Sequence, residues 1–154
     1  MTLTNFSWVI PGKLSGSSMP RCTDGRNDVL WLAEQGVKVL VSLSRPYGPV
    51  EDVCREAGVT WIDHPIPDFG VPEDQIVFDD LVEDLIDNMD SHHPVCVHCQ
   101  AGIGRTGLVL SCIMGKYLSL SSRSAIKAVK KVRPAIETSE QEEFIRQYLS
   151  EYEN

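Results

Sequence analysis

Val95-Cys96-Val97-His98-Cys99-Gln100-Ala101-Gly102-Ile103-Gly104-Arg105-Thr106-Gly107 is the stretch of this 154-residue chain whose reading decides its fold. Pro94 to His98 is short, apolar and β-branched, as expected of a buried strand. A glycine-studded segment follows, and from about Arg105 to Tyr117 the chain reads as a helix. A strand that passes into a helix through a tight loop is the unit from which α/β sheets are built.

Working upstream, strand and helix signals keep alternating. Val59 to Asp63 reads as a strand, and His64-Pro65-Ile66-Pro67-Asp68-Phe69-Gly70 as a loop held extended by two prolines. Pro72 suits the first turn of a helix through Ile76, Leu81, Leu85, Ile86 and Met89, with Glu73 and Asp74 near its positive end; His92-His93-Pro94 stops it in a surface turn. Val37 to Leu43 is a nearly continuous apolar strand, and Glu51 to Ala57 a short helix closed by Gly58. Before these come a strand over Phe6 to Ile10, a Pro11-Gly12 turn, an extended piece from Lys13 to Ser15, a loop from Ser17 to Asp24, and a short helix capped by Asn27 or Asp28 and closed by Gly36.

Downstream, Ser122 is expected to cap a helix through Ala125, Ile126, Ala128, Val129 and Val132 that stops before Pro134. Thr138 opens a last one, with Phe144, Ile145, Tyr148, Leu149 and Tyr152 along its buried face. The expected fold is one α/β domain over residues 1–154, with a central, largely parallel sheet of about four or five strands flanked by helices.

Composition bounds the partners. Residues are 42% apolar and 23% charged, which marks a globular chain with a core and excludes disorder. Against 14 Lys and Arg stand 22 Asp and Glu, a net charge of -8 that disfavours nucleic acid and anionic membrane over most of the surface. An anionic substrate needs a local trap. Five cysteines, an odd number at irregular spacing, read as reduced thiols of a cytosolic or nuclear protein. Met1-Thr2-Leu3-Thr4-Asn5 lacks the features of a signal peptide, and the apolar-leaning run from Gly107 to Leu120 is too short to span a bilayer. A soluble monomer is expected.

The decisive stretch also builds the trap. Glycines let successive N–H groups of Gln100, Ala101, Gly102, Ile103 and Gly104 curl inward, and the helix N-terminus adds unpaired N–H groups and the positive end of its dipole. Arg105 offers a planar fork to two oxygens of a phosphate. The same field favours the thiolate of Cys99, the form that displaces a leaving group from phosphorus. The reaction needs a proton donor at the rim; Asp68 is the first candidate and Asp63 the second. Asp68 then deprotonates the water that cleaves the cysteinyl-phosphate. Thr106 can donate to the departing thiolate.

His98-Cys99 to Arg105-Thr106 matches His-Cys-x5-Arg-Thr, and on it the chain resembles the cysteine-based protein tyrosine phosphatase superfamily. Its length and the spacing from Asp68 to Cys99 resemble the small atypical dual-specificity phosphatases. Further matches are Asn5-Phe6-Ser7-Trp8-Val9, Pro11-Gly12, Ile66-Pro67-Asp68-Phe69, Asp74-Gln75-Ile76, Arg133-Pro134, Ile136-Glu137-Thr138 and Gln141. The resemblance implies the phosphatase fold, a cysteinyl-phosphate intermediate, a phosphoprotein substrate bearing phosphotyrosine or also phosphoserine and phosphothreonine, and neither cofactor nor metal. The loop lacks the lysines common in phosphoinositide phosphatases of this superfamily, which argues against a lipid substrate. Other readings are a phosphoprotein-binding module without turnover and an RNA 5′-triphosphatase.

Some residues have a plainer reading beside the functional one. His98 is expected to fix the loop by hydrogen bonding to backbone, ahead of any proton transfer. The resemblance to larger members of the superfamily implies a water-positioning role for Gln141, with Glu137 in a similar position, yet Thr138-Ser139-Glu140-Gln141 is also a capping box, the reading preferred here. Cys96 and Cys99 are spaced as a Cys-x-x-Cys pair, but with no second pair a metal site is not expected and Cys96 reads as a packed thiol. Trp8, Trp31 and Trp61 read as packing residues.

Overall fold

The computed structural model describes residues 3–151. Strands β1 (Ser7–Ile10), β2 (Leu14–Ser17), β5 (Val39–Ser42), β6 (Thr60–Asp63) and β7 (Val95–His98) form one sheet in the order β1-β2-β7-β5-β6. β1 pairs antiparallel with β2, and every other neighbouring pair is parallel. The helices are α1 (Asp28–Glu34), α2 (Val50–Ala57), α3 (Gln75–Asp90), α4 (Gly104–Leu118), α5 (Ser122–Lys130) and α6 (Ser139–Ser150). The expected α/β architecture, a largely parallel central sheet of about four or five strands, is the one observed, with five.

β7 is the middle strand, and its alternation distributes the core. Val95 and Val97 face the cluster built by α3 to α6, with Val39 and Val41 of β5 beside them. Cys96 faces the opposite cluster with Leu40, Val29, Leu32 and Cys54, under α1 and α2. Both faces are covered, which is why these strands read as continuous apolar runs. α4 is buried from Gly104 to Gly115, and Leu110 and Ile113 on it are fully enclosed, each contributing about 1.5–3 kcal/mol of burial.

Three local readings need correction. α3 begins at Gln75, capped by Asp74, whose carboxylate accepts from the N–H groups of Ile76 and Val77; Pro72 lies in the loop before it. An acceptor positioned for two orphan donors outweighs the preference of proline for a first turn. α5 is capped by Ser121, because the Ser121 hydroxyl accepts from Ser124 N–H, so the helix starts one residue earlier than a Ser122 cap allows. Ser17 to Asp24 is not all loop: Ser17 ends β2, and Cys22–Thr23 (β3) pairs with Arg26–Asn27 (β4) in a hairpin. Two-residue strands carry too little pattern to read.

Other readings hold. Asn27 caps α1, Gly58 closes α2 in the left-handed region, and Thr138 and Gln141 form the capping box of α6. Phe6 meets Trp8 and Trp31 edge to face, with ring centroids 5.5 and 5.2 Å apart, over the α1 side of the sheet. Tyr152 lies outside the described residues.

Candidate active site

The site lies where open α/β sheets place theirs, beyond the carboxyl end of the parallel strands. β7 ends at His98, Cys99 follows with only 2% of its surface exposed, and α4 starts at Gly104. Between them every carbonyl is tied outside the loop. Gln100 C=O accepts from Met19 N–H at 3.0 Å. Ala101 C=O accepts from Asn5 Nδ2 at 3.0 Å, and Gly102 C=O from Arg133 Nη2 at 2.7 Å and Asn5 Nδ2 at 3.2 Å. Ile103 C=O takes the N–H groups of Gly107 and Ile136. In trans peptides each N–H points opposite to the carbonyl bonded to it. The N–H groups of Ala101, Gly102, Ile103 and Gly104 are thereby turned inward, as an oxyanion cradle requires.

Gly102 makes this path possible. Its φ is +77°, and a methyl group there would lie 2.5 Å from the Ser17 carbonyl oxygen. Any side chain would both strain the turn and push the loop off β2.

Two side chains of the first turn of α4 flank this loop. Thr106 Oγ1, fully buried in the first turn of α4, donates to Cys99 Sγ at 3.0 Å. Arg105, 7% exposed, donates from Nη1 to the Ile66 carbonyl at 3.1 Å, and its Nη2 lies 3.1 Å from Asp68 Oδ1. The proline-bounded loop thus hooks onto the arginine through its own backbone and holds Asp68 at the rim, exposed, beside exposed Phe69. Asp63, the second candidate acid, instead lines a separate depression with Arg45 and Trp61.

His98 is enclosed, and burial, reinforced by the nearby Arg105 charge, pushes its pKa down to about 4. A neutral ring fixes the proton by its neighbours. Trp61 Nε1–H donates to Ser42 Oγ at 2.8 Å, so the Ser42 hydroxyl is free to donate to His98 Nε2 at 2.5 Å, and His98 Nδ1–H donates to the Cys99 carbonyl at 3.0 Å. This chain runs from the edge strand β6 through β5 to the nucleophile's own backbone.

Gln141 is fully buried. Its Oε1 accepts from Glu137 and Thr138 N–H, and its Nε2 donates to Gly70 C=O at 3.3 Å, joining the α6 cap to the loop that carries Asp68. The Glu137 carboxylate lies against Gly104 at the rim. Among the described residues, neither side chain hydrogen-bonds to Cys99 or Arg105. Cys96 is buried on the other face near Ser17, its thiol pushed up by burial. All five cysteines are free, and no group of three His, Cys, Asp or Glu among the described residues is placed to hold a metal.

Sequence reading missed Arg133, Asn5, Ser42 and Trp61 as parts of this site. Arg133-Pro134 looked like a helix end, and nothing in a single sequence marks an arginine as 3% exposed and turned into the core.

A largely parallel sheet whose middle strand delivers a thiol into an amide-lined loop closed by arginine defines the protein tyrosine phosphatase class. Within it the chain belongs to the PTP-SAK family, described as a Swiss Army Knife protein, DSP-PTPase phosphatase domain, which it matches over residues 3–148. It is 33% identical over 73 residues to putative tyrosine phosphatase 067L of Invertebrate iridescent virus 3, covering 46% of this chain and 30% of that one. It is 31% identical over 101 residues to cyclin-dependent kinase inhibitor 3 of Rattus norvegicus, covering 63% of this chain and 47% of the relative. The chain thus spans less than half the length of these curated relatives. The crystal structure of Tk-PTP in the active form superposes with a TM-score of 0.83 at 25% identity, covering 96% of this chain and 97% of that one.

Proposed function

We propose that this protein is a protein phosphatase that hydrolyses phosphotyrosine, and with it phosphoserine and phosphothreonine monoesters, through a cysteinyl-phosphate. The observation that carries the reading is the Thr106 hydroxyl on Cys99 Sγ beneath inward-facing amides, with Asp68 held on Arg105 at the start of the same helix.

Cys99 attacks phosphorus as the thiolate, forming the S–P bond while the P–O bond to the leaving group breaks. Asp68 gives its proton to that leaving oxygen. The loop amides from Gln100 to Gly104 and the fork of Arg105 hold the phosphoryl oxygens as charge builds on them. In the second step Asp68, now ionised, takes a proton from water as its oxygen attacks phosphorus; the S–P bond breaks, phosphate leaves, and Thr106 stabilises the released thiolate. His98, neutral and bonded on both nitrogens, acts as a positioning residue. Gln141 and Glu137 support the rim, Gln141 through Gly70.

Phe69 beside Asp68 offers an apolar edge suited to the ring of a phosphotyrosine. The whole chain is read as one catalytic domain working as a monomer without cofactor. Free thiols fit a reducing compartment, the cytosol or nucleus. No helix among the described residues is long and apolar enough to cross a membrane.

The test is phosphate release from matched phosphotyrosine, phosphoserine and phosphothreonine peptides by the purified chain. Release from phosphotyrosine at least is expected. Tight binding of the peptides without release would instead mark a binding module.

A further inference from the structure

A depression of about 580 Å³ adjoins the outer edge of the phosphate loop. Gln100 and Ala101 form one wall, and Thr4, Ser18, Met19, Arg21 and Arg26 form the rest; Asp68 and Phe69 are not part of it. We infer that this depression is a subsite, centred on Arg21, for the carboxylate side chain of an acidic residue flanking the phosphorylated one in a protein substrate. The inference rests on the phosphatase reading above and adds to it a substrate class.

Charge is the first argument. The chain carries -8 overall, yet two arginines and no Asp or Glu line this depression. Arg26 is matched: its Nε lies 3.0 Å from both oxygens of Asp28 and its Nη2 2.9 Å from one, and Asp28 is itself buried. Arg21 has no carboxylate partner among the described residues. Two guanidinium charges less the Asp28 carboxylate leave one positive charge, which suits one carboxylate.

Preorganisation is the second. The backbone of Arg21 is fixed on both sides: its N–H donates to Asp28 Oδ2 at 2.7 Å, its C=O accepts from Asp28 N–H at 3.0 Å, and it bridges to Tyr47. Its guanidinium lies over the Tyr47 ring, 5.5 Å from the centroid. A planar guanidinium on a ring keeps its edge N–H groups available for a bidentate carboxylate, and little freedom is left to lose on binding. Register is the third. Met19 N–H is bonded to Gln100 C=O, so the wall carrying Arg21 is tied to the loop that holds phosphate. An anion in the depression therefore sits at a constant offset from the phosphoryl group, which is the geometry of a flanking side chain.

The test uses phosphotyrosine peptides that differ only in Glu or Gln at the flanking positions, with kcat/KM as readout at low and high salt. The wild type is expected to prefer the Glu peptide by about threefold to tenfold, less at high salt. Arg21→Gln brings the ratio to about one, Arg21→Lys retains part of it, and Arg21→Glu shifts preference to a Lys-flanked peptide. Equal turnover of both peptides by the wild type, or an undiminished ratio in Arg21→Gln, overturns the inference. So does a preference for a second phosphoryl group over Glu by a further tenfold. A small aryl phosphate assayed with every variant separates this failure from failure of the phosphatase reading. If no phosphate is released from it, calorimetric affinities of the same peptide pair decide on the same ratios.

Discussion

Arg133 Nη2 donates to the Gly102 carbonyl oxygen at 2.7 Å while its Nη1 donates to Ser7 Oγ at 2.9 Å, so one buried guanidinium ties the phosphate loop to the first strand. The bond holds Gly102 C=O outward and thereby aims the Ile103 N–H into the cradle. A cation also stands behind the nucleophile's loop, where it adds to the positive field.

Removing that clamp leaves the Gly102 carbonyl without its strongest donor. Arg133→Ala is expected to cost about 2–4 kcal/mol of stability and to lower kcat/KM at least tenfold. Urea unfolding and aryl phosphate kinetics on the same preparation check both.

The two loop glycines have different neighbours. At Gly102 a methyl group meets backbone of β2 with φ at +77°, whereas at Gly104 it meets the ends of the Glu137 and Gln141 side chains. Gly102→Ala is expected to cut kcat/KM by about a hundredfold or more, as loss of an oxyanion donor does. Gly104→Ala should retain most activity, since an exposed glutamate swings aside. Steady-state kinetics of the pair give the comparison.

His98 sets a pH dependence of stability. Its pKa is near 4 in the folded chain and near 6.5 when unfolded, so between those values the unfolded chain binds the extra proton. Its contribution is complete above about pH 6.5 and is lost as pH falls toward 4, up to about 3 kcal/mol. Unfolding free energies from pH 7.5 to 4.5 should fall accordingly in the wild type, and more shallowly in His98→Gln.

Asp68 is held to the site by a single ion pair, an exposed carboxylate on a buried arginine, and by the Ile66 carbonyl that the same arginine binds. Asp68→Asn keeps the hydrogen-bonding shape but has no proton to give. Turnover of an aryl phosphate should fall by about 10²–10⁴-fold. Phosphate inhibition should change little.

Most of the fold and the centre of the candidate site were legible because they depend on local signals. Val95 to Val97 is apolar on both faces, the glycines let the loop amides turn inward, and Cys99 and Arg105 are spaced by the loop itself. Parts that depend on where distant segments return were not legible. Arg133 and Asn5 reach the loop from opposite ends of the chain, and the Trp61-Ser42-His98 relay crosses three strands whose order no pattern announces. The starts of α3 and α5 were missed by short distances, because Pro72 and Asp74, or Ser121 and Ser122, are competing cap signals that only the final geometry decides.

The proposed mechanism depends on Cys99 taking the phosphoryl group from the substrate. Rapid acid quench of the chain during turnover of a phosphotyrosine peptide, followed by peptide mass spectrometry, tests it most directly. A transient phosphoryl adduct on Cys99 is expected, absent together with turnover in Cys99→Ser. Phosphate release by Cys99→Ser at the wild-type rate, or an adduct on another residue, would contradict it.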